Sequence, residues 1–436
     1  MNHTGHRDRR AILADHLRNR LWVIPTLFGL GALLAAVAIA RWFQGATGFI
    51  GYLGDRDSAR SALGTISSAM LTFLGLVFSI SVVALQIASG QLSPRVMRVF
   101  QRDRRTQVVL GVFLATFVFS LTAMVELGEA EAVAAAPLIG LSLVLVGASL
   151  VAFLVYLQHI TTSLRAVTVI EAIAAETRVA IDDVYPPEGA GDPASSVSGP
   201  APEPSEPVAA SAATTTAVPA PRAGVIAAVD LEALAERARA DGVVVRVVPP
   251  VGTYLPAGAT LFEVEGAVTE VGPYQRAVDL EASRTLIQDV PFGIRQLVDI
   301  AERALSPAVN DPTTALQALD RIGDLLRRIV VRPDPETSLA DRDGTVRVRW
   351  TVPSWEALVD LACNEIRWFG SGSTQVTRRM AWILADLRSV APPARVAAID
   401  DAARRLAADV ARTLPAELVD DALAPDPLGR GGVAPR

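Results

Sequence analysis

The residues of this sequence best placed to do chemistry are polar ones inside and just after a long apolar segment between Leu63 and Ala88. They recur every three or four positions, which in a helix puts them on one narrow face. This polar stripe consists of Thr65, Ser68, Thr72, Gly75, Ser79, Gln86, Ser89 and Ser93, interrupted only by Val82. At 1.5 Å per residue it is about 42 Å long, comparable to a bilayer with its headgroups.

Hydroxyl and amide groups in this arrangement favour two kinds of chemistry. They can line a water-filled path, or they can form the contact between packed or oligomerised helices in lipid. Packing accounts well for serine and threonine, whose hydroxyls also bond the carbonyl four residues back. The amide of Gln86 favours a function, because lipid supplies none of the partners that it needs. The fourth apolar segment has a sparser series of Ser142, Ser149, Tyr156 and Ser163.

A cluster of arginines follows the stripe directly. Four of them share one face of a short predicted helix, namely Arg95, Arg98, Arg102 and Arg105. Ser93 is its expected N-cap and Pro94 its first residue. Such a basic helix lies at anionic lipid headgroups, where each arginine contributes about 1 kcal/mol of attraction. The alternative is a positive vestibule at the mouth of a pore, which would disfavour cations.

Enzymatic and metal chemistry find little support in the sequence. Cys363 is the only cysteine and three of the four histidines precede residue 17, so no metal site and no cofactor are expected. The sequence has no P-loop, nucleophile elbow, kinase motifs or HExxH motif, so no catalytic residue is assigned. A net charge of −6 provides no basic face for nucleic acid.

One segment in the C-terminal half, SPAVNDP, joins two predicted amphipathic helices. Its polar residues are Ser306, Asn310 and Asp311. The pattern is typical of a cytoplasmic helix connection, because Asp311 is a favourable N-cap followed by proline at the first helical position. A ligand-binding loop is the alternative.

The elements that position these residues begin with four apolar stretches. Each has the roughly 20 residues that cross a bilayer core as a helix. They are Leu21–Phe43, Leu63–Ala88, Val108–Val125 and Pro137–Leu157. The composition agrees, since 51% of the chain is hydrophobic and its mean hydropathy is +0.35. The first stretch is too long for the apolar core of a cleaved signal peptide.

Charge placement predicts the orientation of the spans. Five arginines precede the first span and five follow the second, whereas the loop after the third carries Glu126, Glu129 and Glu131. By the positive-inside rule, both termini are cytoplasmic. The chain uses arginine and no lysine, which is typical of a GC-rich bacterial genome, so the expected location is multi-pass in a bacterial inner (plasma) membrane. The expected partners are the bilayer, with anionic headgroups at the basic loop, and further copies of this chain, but no nucleic acid.

The predicted fold is a membrane all-α domain of four transmembrane helices, followed by a cytoplasmic α+β region that is mostly helical with a small β unit. The membrane part comprises a basic cytoplasmic tail at 1–20 and the four spans at 21–185, with a cytoplasmic extension of the last helix. The rest comprises a disordered Pro/Ala/Ser/Thr linker at 186–222, a β-rich unit with one helix at 223–280, a helical domain at 281–422 and a disordered tail at 423–436. Further expected N-caps are Asp230, Ser354 and Ser373.

Two long stretches of the chain resemble a known family. The resemblance is carried by FSISVVALQIASGQLSPRVMRVFQRDRRTQVVLGVF and QDVPFGIRQLVDIAERALSPAVNDPTTALQALD. Both are similar to motifs of the bacterial predicted membrane proteins called domain of unknown function 2254. The likeness runs from the first span to the helices near residue 390, except for the linker. It implies a four-span inner-membrane protein with a cytoplasmic C-terminal region, and it assigns no site residues because the family has no established activity.

Two functional hypotheses follow from the sequence. The first is a homo-oligomeric, channel-like protein in which the second span lines a path and the cytoplasmic domain regulates it. The alternative is a non-conducting membrane scaffold or sensor that recruits partners through its cytoplasmic domain. An enzyme is a third hypothesis, which no motif supports.

Overall fold

A computed structural model describes residues 23–42, 56–91, 104–129, 135–163, 165–187, 215–341 and 343–425. The chain divides into two compact units, an N-terminal unit that ends at Val169 and a C-terminal unit that begins at Ile170. In the described residues the first is purely helical, and the second combines helices with two β-sheets. The predicted fold class is therefore confirmed.

Four long apolar helices form the described part of the N-terminal unit. They are α1 (Val23–Trp42), α2 (Arg56–Gln91), α3 (Arg104–Glu129) and α4 (Ala135–Ser163). Each is long and apolar enough to cross a membrane, which agrees with the four predicted spans. The longest is α2, with 36 residues.

The third helix is the most buried of the four spans. One hydrophobic cluster contains Ala40 at the end of α1, Leu63 near the start of α2 and Leu127 near the end of α3. A second cluster contains Val77 in the second half of α2 and Val109 near the start of α3. Thus α1 and α3 run in the same direction and α2 runs in the opposite one, as consecutive spans of a membrane protein must.

Helix α5 (Ala166–Val184) leads into the C-terminal unit. The sequence predicts that the last membrane helix continues without a break, but α4 ends at Ser163 and Arg165 is a bend. The apolar face of α5, which includes Ile170, Ile173 and Ile181, is buried. Helix α5 packs within the C-terminal unit, so contacts in that unit determine its direction. Local sequence does not contain these contacts, and it therefore does not predict the bend.

Eight strands form the β part of the C-terminal unit in the residues that the structure describes. They are β1 (Thr215–Pro219), β2 (Gly224–Val229), β3 (Val244–Val247), β4 (Tyr254–Leu255), β5 (Thr260–Glu265), β6 (Val278–Glu281), β7 (Ser338–Ala340) and β8 (Val346–Arg349). One sheet has the order β1-β5-β3-β8-β7 and the other β4-β2-β6. Helices α6 (Leu231–Asp241) and α7 (Gly272–Gln275) lie between strands in the sequence. Asp230 caps α6 as predicted, since its carboxylate accepts the Ala233 N–H at 2.9 Å.

Three strands lie outside the predicted β unit of residues 223–280. β1 falls within residues 186–222, the predicted disordered linker, and pairs antiparallel with β5. β7 and β8 come from the domain 281–422 predicted as helical, although its segment TVRVRWTVP, which contains β8, alternates as a half-buried strand does, and β8 pairs in parallel with β3. The partners are distant in sequence, so local composition underestimates the order of these segments. Residues 215–219 therefore do not belong to a disordered linker, and the β and helical regions interleave.

Six helices complete the described C-terminal unit. They are α8 (Val290–Ala304), α9 (Pro312–Val330), α10 (Trp355–Gly370), α11 (Thr374–Val390), α12 (Pro393–Thr413) and α13 (Ala416–Leu423). Asp311 caps α9 by accepting the Thr314 N–H at 3.1 Å. Ser354 caps α10 in the same way, whereas Ser373 occupies the N-cap position of α11 without a side-chain hydrogen bond.

Candidate functional site

The polar stripe lies on the face of α2 that points away from the rest of the described bundle. The exposed residues of the stripe are Thr65, Ser68, Thr72, Gly75, Ser79 and Gln86, together with Val82. On the opposite face Ala59, Leu63, Met70, Val77 and Ala84 are at most 8% exposed. Ser89 also lies on α2, and Ser93 is outside the described residues. Among the described residues, the stripe is therefore no packing seam between helices of one chain.

Two threonines of the stripe are hydrogen-bonded within their own helix. Thr65 Oγ1 donates to the Ser61 carbonyl at 2.9 Å, and Thr72 Oγ1 donates to the Ser68 carbonyl at 3.1 Å. These bonds satisfy the two hydroxyl protons and leave oxygen lone pairs on the exposed face. A shallow, open groove follows this part of α2 and is lined by Ser61, Gly64, Thr65, Ser68, Ala69 and Thr72.

The chemistry of this face is polar but uncharged. No Asp, Glu, Lys, Arg or His occurs between Ser61 and Gln91. Gly75 leaves a gap in the surface, since a methyl group added there would have no heavy atom within 4 Å. The face can therefore accept a close neighbour or water, and it offers hydroxyl, amide and backbone groups as the only polar contacts.

The related series on the fourth span faces inwards instead. Ser149 and Tyr156 are 1% exposed, and Ser142 is fully buried. Ser149 Oγ lies 2.9 Å from Thr116 Oγ1 of α3, and Tyr156 Oη lies 2.6 Å from Ser81 Oγ of α2. These hydrogen bonds hold α4 against its neighbours, so Ser149 and Tyr156, together with buried Ser142, form a packing seam, whereas the side chain of Ser163 lies outside the described part.

Sequence reasoning did not identify some of the polar residues inside the bundle. Gln107 and Ser120 are buried and have no side-chain hydrogen-bond partner among the described residues. Serine can turn its hydroxyl towards a carbonyl of its own helix, whereas the Gln107 amide needs several partners, for which buried water is the ordinary solution. The sequence signal for such buried polar residues is a glutamine or serine in an otherwise apolar span.

The predicted basic helix is only partly within the described residues. Arg95, Arg98 and Arg102 lie outside them. Arg105 is exposed in the first turn of α3, so it belongs to the start of the third span. This corrects the expectation that it ends a separate helix, because α3 begins at Arg104.

The segment SPAVNDP forms the connection between α8 and α9. Ser306 Oγ donates to the Arg303 carbonyl at 2.7 Å, and the Ser306 carbonyl accepts the Asn310 N–H at 2.9 Å. Asn310 has φ +49°, a left-handed conformation that asparagine tolerates better than most residues. Asp311 Oδ2 accepts the Thr314 hydroxyl at 2.6 Å. Turn and cap geometry thus account for Ser306, Asn310 and Asp311.

The described residues contain no group of three or more His, Cys, Asp or Glu side chains that could hold a metal. Cys363 is buried in α10. Burial raises the pKa of its thiol to about 12, and the nearby Asp360 carboxylate adds to the rise. Because the thiolate is the reactive form, this cysteine is unsuited to nucleophilic chemistry at neutral pH.

This pKa leads to a prediction about thiol labelling. In the folded protein at neutral pH, we expect Cys363 to react with a maleimide far more slowly than in guanidinium chloride, where the thiol is exposed and its pKa falls. Mass spectrometry of the labelled chain measures the difference. Complete labelling of the folded protein within the same time would contradict it.

Comparison with known proteins places the chain in a family. The family model described as "Predicted membrane protein (DUF2254)" matches residues 18–386. Uncharacterized protein Rv1290c of Mycobacterium tuberculosis and uncharacterized protein Mb1321c of Mycobacterium bovis are similar to it. Each is 32% identical over 427 residues, which cover 92% of this chain and 80% of the relative. No solved structure shows a significant match. The chain therefore belongs to the DUF2254 family of predicted membrane proteins.

Proposed function

We propose that this protein is a homo-oligomeric, channel-like protein of the bacterial inner membrane, in which the second spans of several copies line a path. The observation that carries the proposal is the uncharged polar stripe, which is exposed on α2 in the described chain. In a single copy this face would meet lipid, where the Gln86 amide would lack partners. Copies arranged around an axis would turn it towards water.

Side-chain size on this face also supports association. Small residues allow membrane helices to approach closely, and a methyl group at Gly75 would meet nothing within 4 Å in one chain. A neighbouring helix therefore has room at the middle of the stripe. Rotational symmetry would present the same face of α2 from every copy, as most homo-oligomers do.

The lining suggests which solutes such a path would pass. The segment from Ser61 to Gln91 has no ionisable side chain, so it would offer hydroxyl, amide and backbone contacts without fixed charge. We expect small neutral solutes or weakly selected ions to be the passing species. The neighbouring arginines, from Arg95 to Arg105, would disfavour cations at that mouth and contact anionic headgroups.

The charge distribution supports an orientation with both termini in the cytoplasm. The C-terminal unit would then face the cytoplasm and act as a regulatory domain. Helix α5 supports this role, because it follows α4 after two residues and is held by ion pairs to α9 and to Arg332, just after the end of α9. Arg178 Nε lies 3.0 Å from Asp324, and Arg332 Nη2 lies 2.5 Å from Asp182. A movement of the unit would reach the fourth span through α5.

The decisive experiment compares flux and assembly in stripe variants. Ser79→Leu and Gln86→Leu replace polar groups of the path by apolar ones, so flux through the reconstituted protein should fall to background. Phe78→Leu, at an exposed neighbour outside the stripe, is the matched control and should retain flux. Liposome swelling and planar-bilayer currents measure flux, and native mass spectrometry measures the oligomer. The leucine variants should stay assembled.

Two outcomes would contradict the path. One is a wild-type protein that shows no flux under varied voltage, tension and pH. The other is dissociation of the leucine variants, which would identify the stripe as a packing surface and favour a non-conducting scaffold or sensor.

One observation favours the second candidate function, the non-conducting scaffold or sensor. Thr65 and Thr72 each donate a hydrogen bond within their own helix, which satisfies both hydroxyl protons without water.

A further inference from the structure

The helical part of the C-terminal unit comprises α5 and the helices from α8 to α13. Helix α5 starts at one end of this part. Helix α5 runs parallel to α9, because ion pairs join it to α9 and to Arg332, just after α9, in the same order along the sequence. Glu171 lies 2.5 Å from Arg321, and Asp182, eleven residues later, lies 2.5 Å from Arg332. The start of α5 is therefore at the same end of the unit as the start of α9 and the SPAVNDP connection.

The covalent chain ties the start of α5 to the fourth span. Helix α4 ends at Ser163 and α5 begins at Ala166. Three Cα–Cα steps of 3.8 Å cover at most about 11 Å. The first turn of α5 is therefore held within about 11 Å of the end of a membrane-spanning helix, whatever the orientation of the unit.

Three further helix ends lie at this same end of the unit. A methyl group at Gly370, the last residue of α10, would lie 3.3 Å from Leu305, which follows α8. The hydroxyls of Ser371 and Thr413 are 3.2 Å apart, which brings the end of α12 there too. Helix α13 joins them, since Thr377 near the start of α11 donates to the Ala422 carbonyl at 2.7 Å.

The exposed apolar side chains of the helical part are concentrated at this end. In the described residues from 290 to 425, which omit residue 342, the exposed large hydrophobic side chains are Val309, Trp368, Phe369 and Leu418, whereas on α5 Val179 is also exposed, away from this end. Trp368 is 78% exposed, although tryptophan is usually largely buried. We call these four residues the apolar end. At the opposite end, helix ends are joined by polar contacts such as Arg327 with Asp386 at 2.6 Å.

We infer that the apolar end is a lipid-contacting surface, which inserts into the headgroup region of the bilayer that the four spans cross. Tryptophan favours this region because its ring is apolar and its N–H finds hydrogen-bond partners there. The short connection from Ser163 to Ala166 keeps this end of the unit close to the bilayer that α4 crosses. The inference concerns anchoring of the C-terminal unit and holds whether or not the protein conducts.

The charged side chains beside the apolar end indicate which lipid headgroups it can contact. Glu417 and Asp420 flank Leu418 on α13, and these carboxylates would be repelled by anionic headgroups. The contact therefore depends on apolar insertion, and it should form on an uncharged phosphatidylcholine surface.

Site-directed spin labelling of the full-length protein tests this inference. Nitroxides are placed at Val309→Cys and Trp368→Cys, and Ser389→Cys is the control, an exposed residue in the last turn of α11 at the opposite end. Buried Cys363 stays unlabelled, which the wild-type chain verifies. The protein is studied in phosphatidylcholine nanodiscs that hold one copy each. Collisions with oxygen, which enters lipid, are compared with collisions with a water-soluble nickel chelate.

In lipid contact, labels at both test positions should collide often with oxygen and rarely with nickel, giving a ratio several-fold above that at Ser389. High accessibility to both reagents, as at Ser389, would place the apolar end in water and overturn the inference. Low accessibility to both would show that protein covers it, which also overturns it. Val309 lies in an exposed turn, so its variant reports even where substitution of Trp368 disturbs the fold.

Discussion

Substituting Asp289 by alanine is expected to lower the free energy of unfolding of the C-terminal unit by about 3 kcal/mol, since it removes an N-cap and leaves an arginine without its main partner. Asp289 is 2% exposed and accepts the Phe292 N–H at 3.1 Å. Both its oxygens also accept hydrogen bonds from Arg284, each at 2.8 Å. Arg284 stacks over the Phe292 ring and is one-third exposed, which moderates the cost of losing its partner.

A matched control isolates the contribution of the arginine. Asp311 caps α9 with the same geometry, and its hydrogen bonds go to Thr314. We expect Asp311→Ala to cost about 1 kcal/mol, the usual value of an N-cap. Denaturant unfolding of the detergent-extracted protein, followed by tryptophan fluorescence, measures both losses. Equal losses for the two variants would contradict the assigned strength of the Arg284 pair.

Replacing Gly293 by alanine is expected to displace α5 from α8. A methyl group at Gly293 would lie 2.0 Å from Thr177 Oγ1 and 2.6 Å from Thr177 Cγ2, far inside contact distance. Alanine favours a helix over glycine by about 1 kcal/mol, but overpacking of this kind costs about 1–3 kcal/mol. Since Thr177 is buried and lies in a packed interface, we expect a net loss of stability of about 1–2 kcal/mol.

The loss should appear locally, as faster amide hydrogen exchange in α5 than in wild type. The double variant Thr177→Gly with Gly293→Ala exchanges the positions of the large and the small residue. It should recover most of the protection if the clash is the cause, as a double-mutant cycle would show. Unchanged exchange in Gly293→Ala alone would mean that α5 does not pack against α8 as described.

Local pattern was sufficient for much of this fold. Apolar length found all four spans, and the predicted Pro137–Leu157 lies within the observed span Pro137–Ile160. Asp230, Asp311 and Ser354 were identifiable as N-caps, because capping depends on residues only three positions apart. The family motifs agreed with the family model over residues 18–386.

The remaining features depend on contacts that periodicity does not contain. A helical period shows that the stripe on α2 and the series on α4 each share a face, but not that one faces out and the other in. Only the partners reveal that difference, such as Thr116 for Ser149. The same applies to β1, whose pairing with β5 joins residues about 45 positions apart. Local composition could not show that pairing.

The length of α2 has a mechanical consequence. At 1.5 Å per residue its 36 residues extend about 54 Å, against about 30 Å for the hydrocarbon core of a bilayer. Even a tilt of 40°, the upper limit of the usual range, leaves it about 41 Å tall. Helix α2 is therefore a continuous rod that protrudes from the hydrocarbon core on at least one side. A rotation of α2 at one end would therefore be transmitted to its other end through continuous helical backbone, with no loop in between.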